Sequence, residues 1–446
     1  MQYLRLVLGL HMTFFCGAVF SKNAIFFLGD GMGITTISAA RIFEAQQKKV
    51  DSFNNFLSFE AFPNTALIRT HSADAQIPDS AATMSSIMTG VRTNTGMIGV
   101  GPTHPRGECM AVTQDSAATL VELAEEAGLA TGLISTSRIT DATPAAAYAH
   151  VPDRKWEADS KTPPHALMIE NCGDIARQLL AFDKGDGMDI VMGGGRENFF
   201  SRDVYDSEYP KQKGWRLGKT ELVAEWINKR PGREYIWNRN QFDALNVYSL
   251  GQVLALFEPK EMLFEADRRR QRGNEPSLSE MTNFAVRYLQ NRGSEKGFLL
   301  IVEAARIDHG NHFKNPYLAL TETIELSEAV RQTLAISDLN ETLILVTADH
   351  SSSLAFTGYP EKDMLVQASL SYPSFTFRGD GFQSEHMNKD AEKDVFDYDP
   401  NTQPSPHAGE DVPAYAIGIG AGSISGTLEQ NRLFDIIRSA ILPLPE

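Results

Sequence analysis

The residues that could do chemistry in this chain begin with a serine at the start of a short helix. Pro78 and Asp79 suit a turn, Ala81 to Met88 contains strong helix formers, and Gly90 fits a helix stop. Ser80 is therefore expected at the helix N-terminus. Taken alone, it reads as an N-cap whose oxygen accepts a backbone N–H. The same position also suits a nucleophile, because a helix N-terminus carries partial positive charge and free N–H groups that bind phosphate and stabilise an alkoxide. Metal-capable side chains recur elsewhere. Asp30 lies in Gly29-Asp30-Gly31, Glu303 precedes Asp308-His309-Gly310-Asn311-His312, Asp349 and His350 are adjacent, and His407 stands apart. Singly, each has an ordinary explanation as a turn former, a cap or part of a polar loop. The four-residue spacing of Asp308 and His312 would also place both on one helical face as a chelating pair. Nitrogen and oxygen donors suit zinc, and hard oxygen donors suit magnesium.

The elements that must position these residues follow from the hydrophobic pattern. Ala24 to Leu28 is a continuous apolar run ending in Gly and Asp, the pattern of a buried parallel strand and a tight loop. Further strands are expected at Thr65 to Thr70, Ala130 to Thr136, Asp189 to Met192, Gly297 to Ala304, Thr342 to Thr347 and Ala414 to Ile419. Helices are expected near Ile34 to Gln47, Thr119 to Ala127, Tyr317 to Ile336 and Leu428 to Leu442. Leu318, Leu320, Ile324, Leu326, Val330 and Leu334 roughly follow the 3.6-residue period. Residues 196–280 read as charged and irregular, with helical pieces around Glu221 to Lys229 and Ser279 to Asn291. Strands alternating with helices predict an α/β fold, a mostly parallel central sheet with helices on both faces. In such sheets ligands bind at the carboxyl ends of the strands. Asp30, Glu303, Asp308, Asp349 and His350 sit at or just after strand ends, while His407 precedes the last strand. Residues 359–406, polar and rich in Asp, Pro, Ser and aromatics, read as an insertion.

A net charge of −16 over 446 residues argues against stable nucleic-acid binding, which needs Lys and Arg to neutralise phosphates. It leaves room for a small anionic substrate at a local cationic site. Residues 1–21 read as a signal peptide, with Arg5 ahead of an apolar stretch from Leu6 to Phe20 that is short for a membrane span. No second spanning run follows, and the C-terminus lacks the hydrophobic tail of a lipid-anchor signal. A secreted or periplasmic protein is expected. With Cys16 removed, Cys109 and Cys172 remain, either as one disulfide or as two buried thiols.

Six separated motifs, in order, resemble the alkaline phosphatase family. They are Gly29-Asp30-Gly31-Met32-Gly33, Asp79-Ser80-Ala81, Asp141-Ala142-Thr143-Pro144-Ala145, Arg306-Ile307-Asp308-His309-Gly310, Thr347-Ala348-Asp349-His350 and His407-Ala408-Gly409-Glu410-Asp411. Thr321-Glu322-Thr323-Ile324 and Gly193-Gly194-Gly195-Arg196 are similar to the animal-type branch. The resemblance spans about Lys22 to the end, as one catalytic domain over 22–446. It implies a broad metal-dependent phosphomonoesterase with an alkaline optimum, working through a phosphoserine on Ser80. It also implies a first zinc on Asp308, His312 and His407, and a second on Asp349, His350 and Asp30 with the Ser80 oxygen. Magnesium would lie on Asp30, Thr143 and Glu303, and Arg154 would clamp the phosphate, since a guanidinium can hold two oxygens at once. Calcium on Glu208, the Phe257 carbonyl, Glu258 and Glu275 is implied too, as is a Cys109–Cys172 disulfide.

The chain departs from the animal pattern in three ways. Asp141 and Ser352 stand where those enzymes often carry histidine, although His309 follows the animal type. The family's N-terminal helix, which commonly contacts the partner subunit of a homodimer, has no counterpart between the expected leader and Asn23. Residues 359–406 match the family's crown region in shortened form. Two other readings compete. One is diesterase or sulfatase chemistry on a related fold, although Ser80 lacks the Ser-x-Pro-x-Arg context of a sulfatase. The other is a non-catalytic metal-bearing protein, for which Ser80 and Arg154 would have no use.

Overall fold

Strands whose side chains are buried on both faces set the architecture of the computed structural model. It describes residues 22–442 apart from 220, 250, 272, 294, 363, 373, 379–380 and 386–403. The expected signal peptide lies outside the described residues, as does much of the 359–406 segment. The central sheet comprises β1 (Asn23–Gly29), β2 (Asn64–Arg69), β3 (Ala130–Arg138), β4 (Ile190–Gly194), β5 (Glu234–Ile236), β6 (Val253–Leu256), β7 (Phe298–Ala304), β8 (Thr342–Ala348), β9 (Val412–Gly418) and β10 (Gly426–Glu429). Their order is β10-β2-β9-β8-β1-β7-β3-β4-β6-β5. Every residue of β7 and β8 is buried, which matches their unbroken apolar runs and a sheet covered on both faces. β2, near one edge, instead alternates, with Ala66 and Ile68 buried and Thr65, Leu67 and Arg69 exposed.

β9 runs antiparallel to both of its neighbours, β2 and β8, while the other adjacent pairs are parallel. The reversal explains His407. A residue just before an antiparallel strand lies at the same end of the sheet as residues just after parallel ones. The mostly parallel sheet therefore gathers Asp30, Glu303, Asp308, Asp349, His350 and His407 at one end.

Helices α1 (Ile34–Lys48), α2 (Ser80–Thr89), α3 (Leu120–Ala127), α4 (Ala142–Ala145), α5 (Leu278–Arg292), α6 (Arg306–His312), α7 (Pro316–Ile336) and α8 (Arg432–Ile441) pack in two groups. α7 lies against α1, α5 and α6, and α8 lies against α2 and α3. Local chemistry fixes several ends. Thr119 and Glu122 form a capping box on α3, as Ser277 and Glu280 do on α5. Gly90 and Gly128 close α2 and α3 in the left-handed conformation. No helix of the described residues is long and apolar enough to cross a membrane.

Two expectations need correction. Residues 196–280 contain β5 and β6, strands too short for their alternation to stand out from the polar background. The closing helix begins at Arg432 rather than Leu428, because Leu428 lies on β10 and pairs with Ile68 of β2. Cys109 and Cys172 form a disulfide, packed with Trp156 and Ala166.

Candidate active site

Two groups of metal-capable atoms converge at the carboxyl end of the sheet: Asp308, His312 and His407, and Asp30, Asp349 and His350. Asp308 and His312 lie one turn apart on α6, as their spacing predicts, with His312 Nε2 2.9 Å from Asp308 Oδ2. His407 comes from a two-residue antiparallel pairing with Ser352 and brings its Nε2 to 3.3 Å from that of His312. Asp30 follows β1, and Asp349 and His350 follow β8. His350 Nε2 is 3.4 Å from Asp30 Oδ1 and 3.3 Å from Asp349 Oδ2. The Gly31 N–H, at φ +64°, donates to Asp349 Oδ1 at 3.1 Å. A side chain at Gly31 would strike Asp308 and Ser352, so the tight turn needs glycine.

The histidine tautomers argue for cations. His312 Nδ1 faces the Ser405 carbonyl at 2.6 Å, His407 Nδ1 the Pro78 carbonyl at 2.9 Å, and His350 Nδ1 the Ser351 carbonyl at 3.3 Å. A carbonyl can only accept, so each Nδ1 carries the proton and each Nε2 presents a lone pair. Those lone pairs point at carboxylates and at one another. Asp308 Oδ1 is buried with no hydrogen-bond partner among the described residues. Burial, then the charges of Asp349, Asp308 and Glu303, push the Asp30 carboxyl well above the usual range. Acceptors facing acceptors in a buried site fit metal ions between them.

Ser80 stands among these groups. It is the first residue of α2, and the N-cap is Asp79, whose carboxylate accepts the Ala82 N–H. The N-cap reading of Ser80 is thus wrong, because the Asp79 side chain reaches that N–H and leaves the serine oxygen unclaimed by its own helix. Ser80 Oγ lies 3.1 Å from His350 Nε2 and 3.4 Å from each Asp30 carboxylate oxygen. Thr143 Oγ1, on α4, is 3.5 Å from Asp30 Oδ2. Glu303 is paired across the sheet with Ser135 of β3, whose hydroxyl donates to it, and the Ser137 hydroxyl lies 3.3 Å from the same oxygen. Burial pushes the Glu303 carboxyl up to about 8. Asp30, Thr143 and Glu303 thus form an oxygen-only flank, of the kind that suits a hard cation.

Arg154 is tied to the turn that carries Ser80. Its guanidinium donates to Asp79 Oδ2 at 3.0 Å and to Asp141 Oδ1 at 3.2 Å. Burial opposes the Asp79 charge, but Arg154 and the Gly96 and Ala82 N–H groups hold its carboxyl below the usual range. Asp141 also pairs with Arg138 at 3.3 Å. Ser352, in the other departing position, donates to the Gly31 carbonyl at 3.0 Å.

Glu208 and Phe257, two of the four residues expected to hold calcium, both meet Arg196. Arg196 donates to Glu208 at 3.0 Å and to the Phe257 carbonyl, and Tyr209 OH donates to Glu258 at 3.1 Å. Burial raises Glu258 to about 7 and Glu275 to about 9. Glu275 Oε2 is buried without a hydrogen-bond partner among the described residues. These carboxylates do not form one of the two convergent groups.

Sequence reasoning missed Ser135 and Ser137, which become visible only through the β3–β7 register. It also missed Asp79 as a cap and an arginine anchor, although two good capping residues in a row were a signal.

The chain matches the family model described as Alkaline phosphatase over residues 21–442. It is 36% identical over 440 residues to the tissue-nonspecific alkaline phosphatase isozyme of Gallus gallus, covering 92% of this chain and 82% of that protein. Against the Homo sapiens isozyme it is 35% identical over 435 residues, with the same coverage of each. It is 34% identical to an alkaline phosphatase of Gadus morhua, covering 92% of this chain and 90% of that one. Among solved structures, the Thermus thermophilus alkaline phosphatase superposes with a TM-score of 0.69 at 21% identity, covering 99% of this chain and 96% of the other. That of the Antarctic bacterium TAB5 gives 0.66 at 21% identity, covering 94% and 98%. At such identity the two structures bear on the fold alone.

Proposed function

The chain belongs to the alkaline phosphatase family, and we propose that Ser80 is its nucleophile and Arg154 its phosphate clamp. It is a hydrolase of phosphomonoesters, and the reaction depends on metal ions. In the proposed assignment, zinc is held by Asp308, His312 and His407, and a second zinc by Asp30, Asp349, His350 and the Ser80 oxygen. Magnesium is held by Asp30, Thr143 and Glu303. When bound, such ions lower the pKa of oxygens they touch and neutralise the charge that develops in phosphoryl transfer.

The protein's own groups do the rest. Ser80 Oγ bonds to phosphorus as the bond to the ester oxygen breaks. The proton lost by the serine is balanced by the proton the alcohol gains on leaving. Water then cleaves the phosphoserine, restoring Ser80 and releasing inorganic phosphate. Both groups nearest Oγ, the His350 nitrogen and the Asp30 carboxylate, are acceptors, so they favour loss of its proton. Arg154, pre-oriented by Asp79 and Asp141, can turn two donors to phosphate oxygens. A monoester has spare oxygens for this clamp, which favours monoesters over diesters.

Calcium at Glu208, Phe257, Glu258 and Glu275, a signal peptide over 1–21 with secretion or periplasmic export, a shortened crown-type insertion over 359–406, and a homodimer complete the reading. The single observation that carries the mechanism is Ser80 Oγ between His350 and Asp30. Hydrolysis of p-nitrophenyl phosphate at alkaline pH, after chelation and restoration with zinc and magnesium, tests it. Activity should vanish and return, and Ser80→Ala should lose at least about a thousandfold in kcat. Full activity in Ser80→Ala, or faster turnover of a diester, would overturn the assignment.

A further inference from the structure

Asn311 is buried on α6 between Asp308 and His312. The orientation of its amide follows from its partners. One end lies 3.4 Å from the Gly31 carbonyl, which can only accept, so that end is Nδ2. The other end, Oδ1, faces the Tyr372 hydroxyl at 2.9 Å, so the phenol must donate. Other parts of the site meet at the same turn. The Ser352 hydroxyl donates to the Gly31 carbonyl at 3.0 Å, and Ser352 pairs with His407. Gly31 itself follows Asp30. Tyr372 belongs to the 359–406 segment, whose described residues are anchored to the helices beside the site. Leu370–Ser371 pairs antiparallel with Ala355–Phe356. The Val366 N–H donates to Gln46 Oε1 at 3.2 Å, and Gln46 Nε2 donates to the Met364 carbonyl at 2.7 Å, which fastens the segment to α1. On its return, the Ser405 N–H donates to the His312 carbonyl at 3.1 Å, and the Ser405 carbonyl accepts from His312 Nδ1 at 2.6 Å. The segment thus grips α6 at two adjacent residues, Asn311 and His312.

We propose that Tyr372 is a positioning residue for the zinc assigned to Asp308, His312 and His407, and that through it the 359–406 segment sets how long that ion is retained. With the hydroxyl in place, the Asn311 amide is satisfied at both ends and holds α6 against the Gly31 turn. The two ligands on α6 then keep their distance from His407, whose partner Ser352 is tied to the same carbonyl. Without the hydroxyl, Oδ1 is a buried acceptor that has lost its donor. The amide then turns or draws in water, and α6 loosens. Asp349 and His350 are held differently. They follow β8, which is fixed by pairing with β1 along its whole length. The second metal group therefore depends less on this amide. The inference rests on the assignment of zinc to Asp308, His312 and His407.

The test follows zinc leaving the fully loaded, full-length protein into an excess of a colorimetric chelator. Two release phases are expected, one for each group. His407→Gln removes a ligand of the first group and so identifies its phase. Tyr372→Phe keeps the ring and removes only the donor. It should speed the first phase about fivefold, the worth of one hydrogen bond, and change the other phase by less than about twofold. Asn311→Ala should speed the first phase at least as much. Tyr372→Phe in an Asn311→Ala background should add nothing further. An unchanged first phase in Tyr372→Phe would overturn the proposal. So would both phases hastened alike, which is what a general loosening of the fold produces, or effects that add in the double variant. His407→Gln separates the two levels. If it removes one phase while Tyr372→Phe leaves that phase unaltered, only the positioning role fails; if it leaves both phases intact, the zinc assignment fails as well.

Discussion

Asp79 serves two structures with one carboxylate. Oδ1 caps α2 through the Ala82 N–H and also accepts the Gly96 N–H, while Oδ2 binds Arg154. The two duties can be separated by substitution. Asparagine still caps a helix well, but its amide puts a donor beside the guanidinium. Asp79→Asn should keep the unfolding midpoint close to wild type while raising KM for p-nitrophenyl phosphate, because Arg154 loses one anchor. Asp79→Ala should raise KM too and also cost about 1 kcal/mol of stability. Denaturant titration beside steady-state kinetics checks both, and equal stability in the two variants would remove the capping role. Sequence could show that residues 79 and 80 begin a helix, but not which one caps it. That depends on which side chain reaches the Ala82 N–H. Asp308 and His312 were legible because a helical turn is local. Ser135 was not, because its partnership with Glu303 exists only in the register of two strands far apart in the chain.

At the scale of elements, the disulfide lies beneath the arginine-bearing segment. Cys109 and Cys172 pack with Trp156, two residues beyond Arg154, and the Gly107 N–H donates to the Pro152 carbonyl at 2.9 Å. Arg106 bonds Asp153 at 2.7 Å. Closing a loop with a sequence separation of 63 stabilises a fold by about 4 kcal/mol in the chain-entropy account. Cys109→Ser with Cys172→Ser should lower the thermal midpoint and raise KM more than it lowers kcat, because the segment bearing Arg154, the proposed clamp, loosens while Ser80 sits on separate packing. Calorimetry and kinetics on the double variant check this, and an unchanged KM would detach the staple from the clamp. The same scale shows why strand reading succeeded unevenly. β1, β7 and β8 are seven-residue, two-sided strands and stand out as apolar runs, whereas β5 has three residues and β6 four. Their identity as strands comes from pairing with β4 and with each other, which no local window contains.

At the scale of the whole molecule, acidity is stored inside as well as outside. Glu125 and Glu322 are nearly inaccessible, and burial, aided by nearby carboxylates, raises each to about 8 from the usual 4.5. Between those values the folded chain holds protons that the unfolded chain releases, so their contribution to stability falls as pH rises from about 4.5 to 8. Glu125→Gln and Glu322→Gln should therefore flatten the decline, each by at most about 1.4 kcal/mol per pH unit. Denaturant midpoints of chelated protein between pH 5 and 8.5 measure the slope, and an unchanged slope would show that neither proton is retained.

The reversed strand β9 also has a consequence for how the chain is made. β2, which leads toward Ser80, touches only β9 and β10 in the sheet, and both come far later in the chain. His407 arrives just before them. An emerging chain therefore carries its serine long before it has either the neighbouring strand or the third member of one metal-capable group. Folding cannot advance steadily from the first residue. It must wait for a long-range closure, which is slow by nature, and a nascent chain truncated before β9 would be an inert precursor rather than a weaker enzyme.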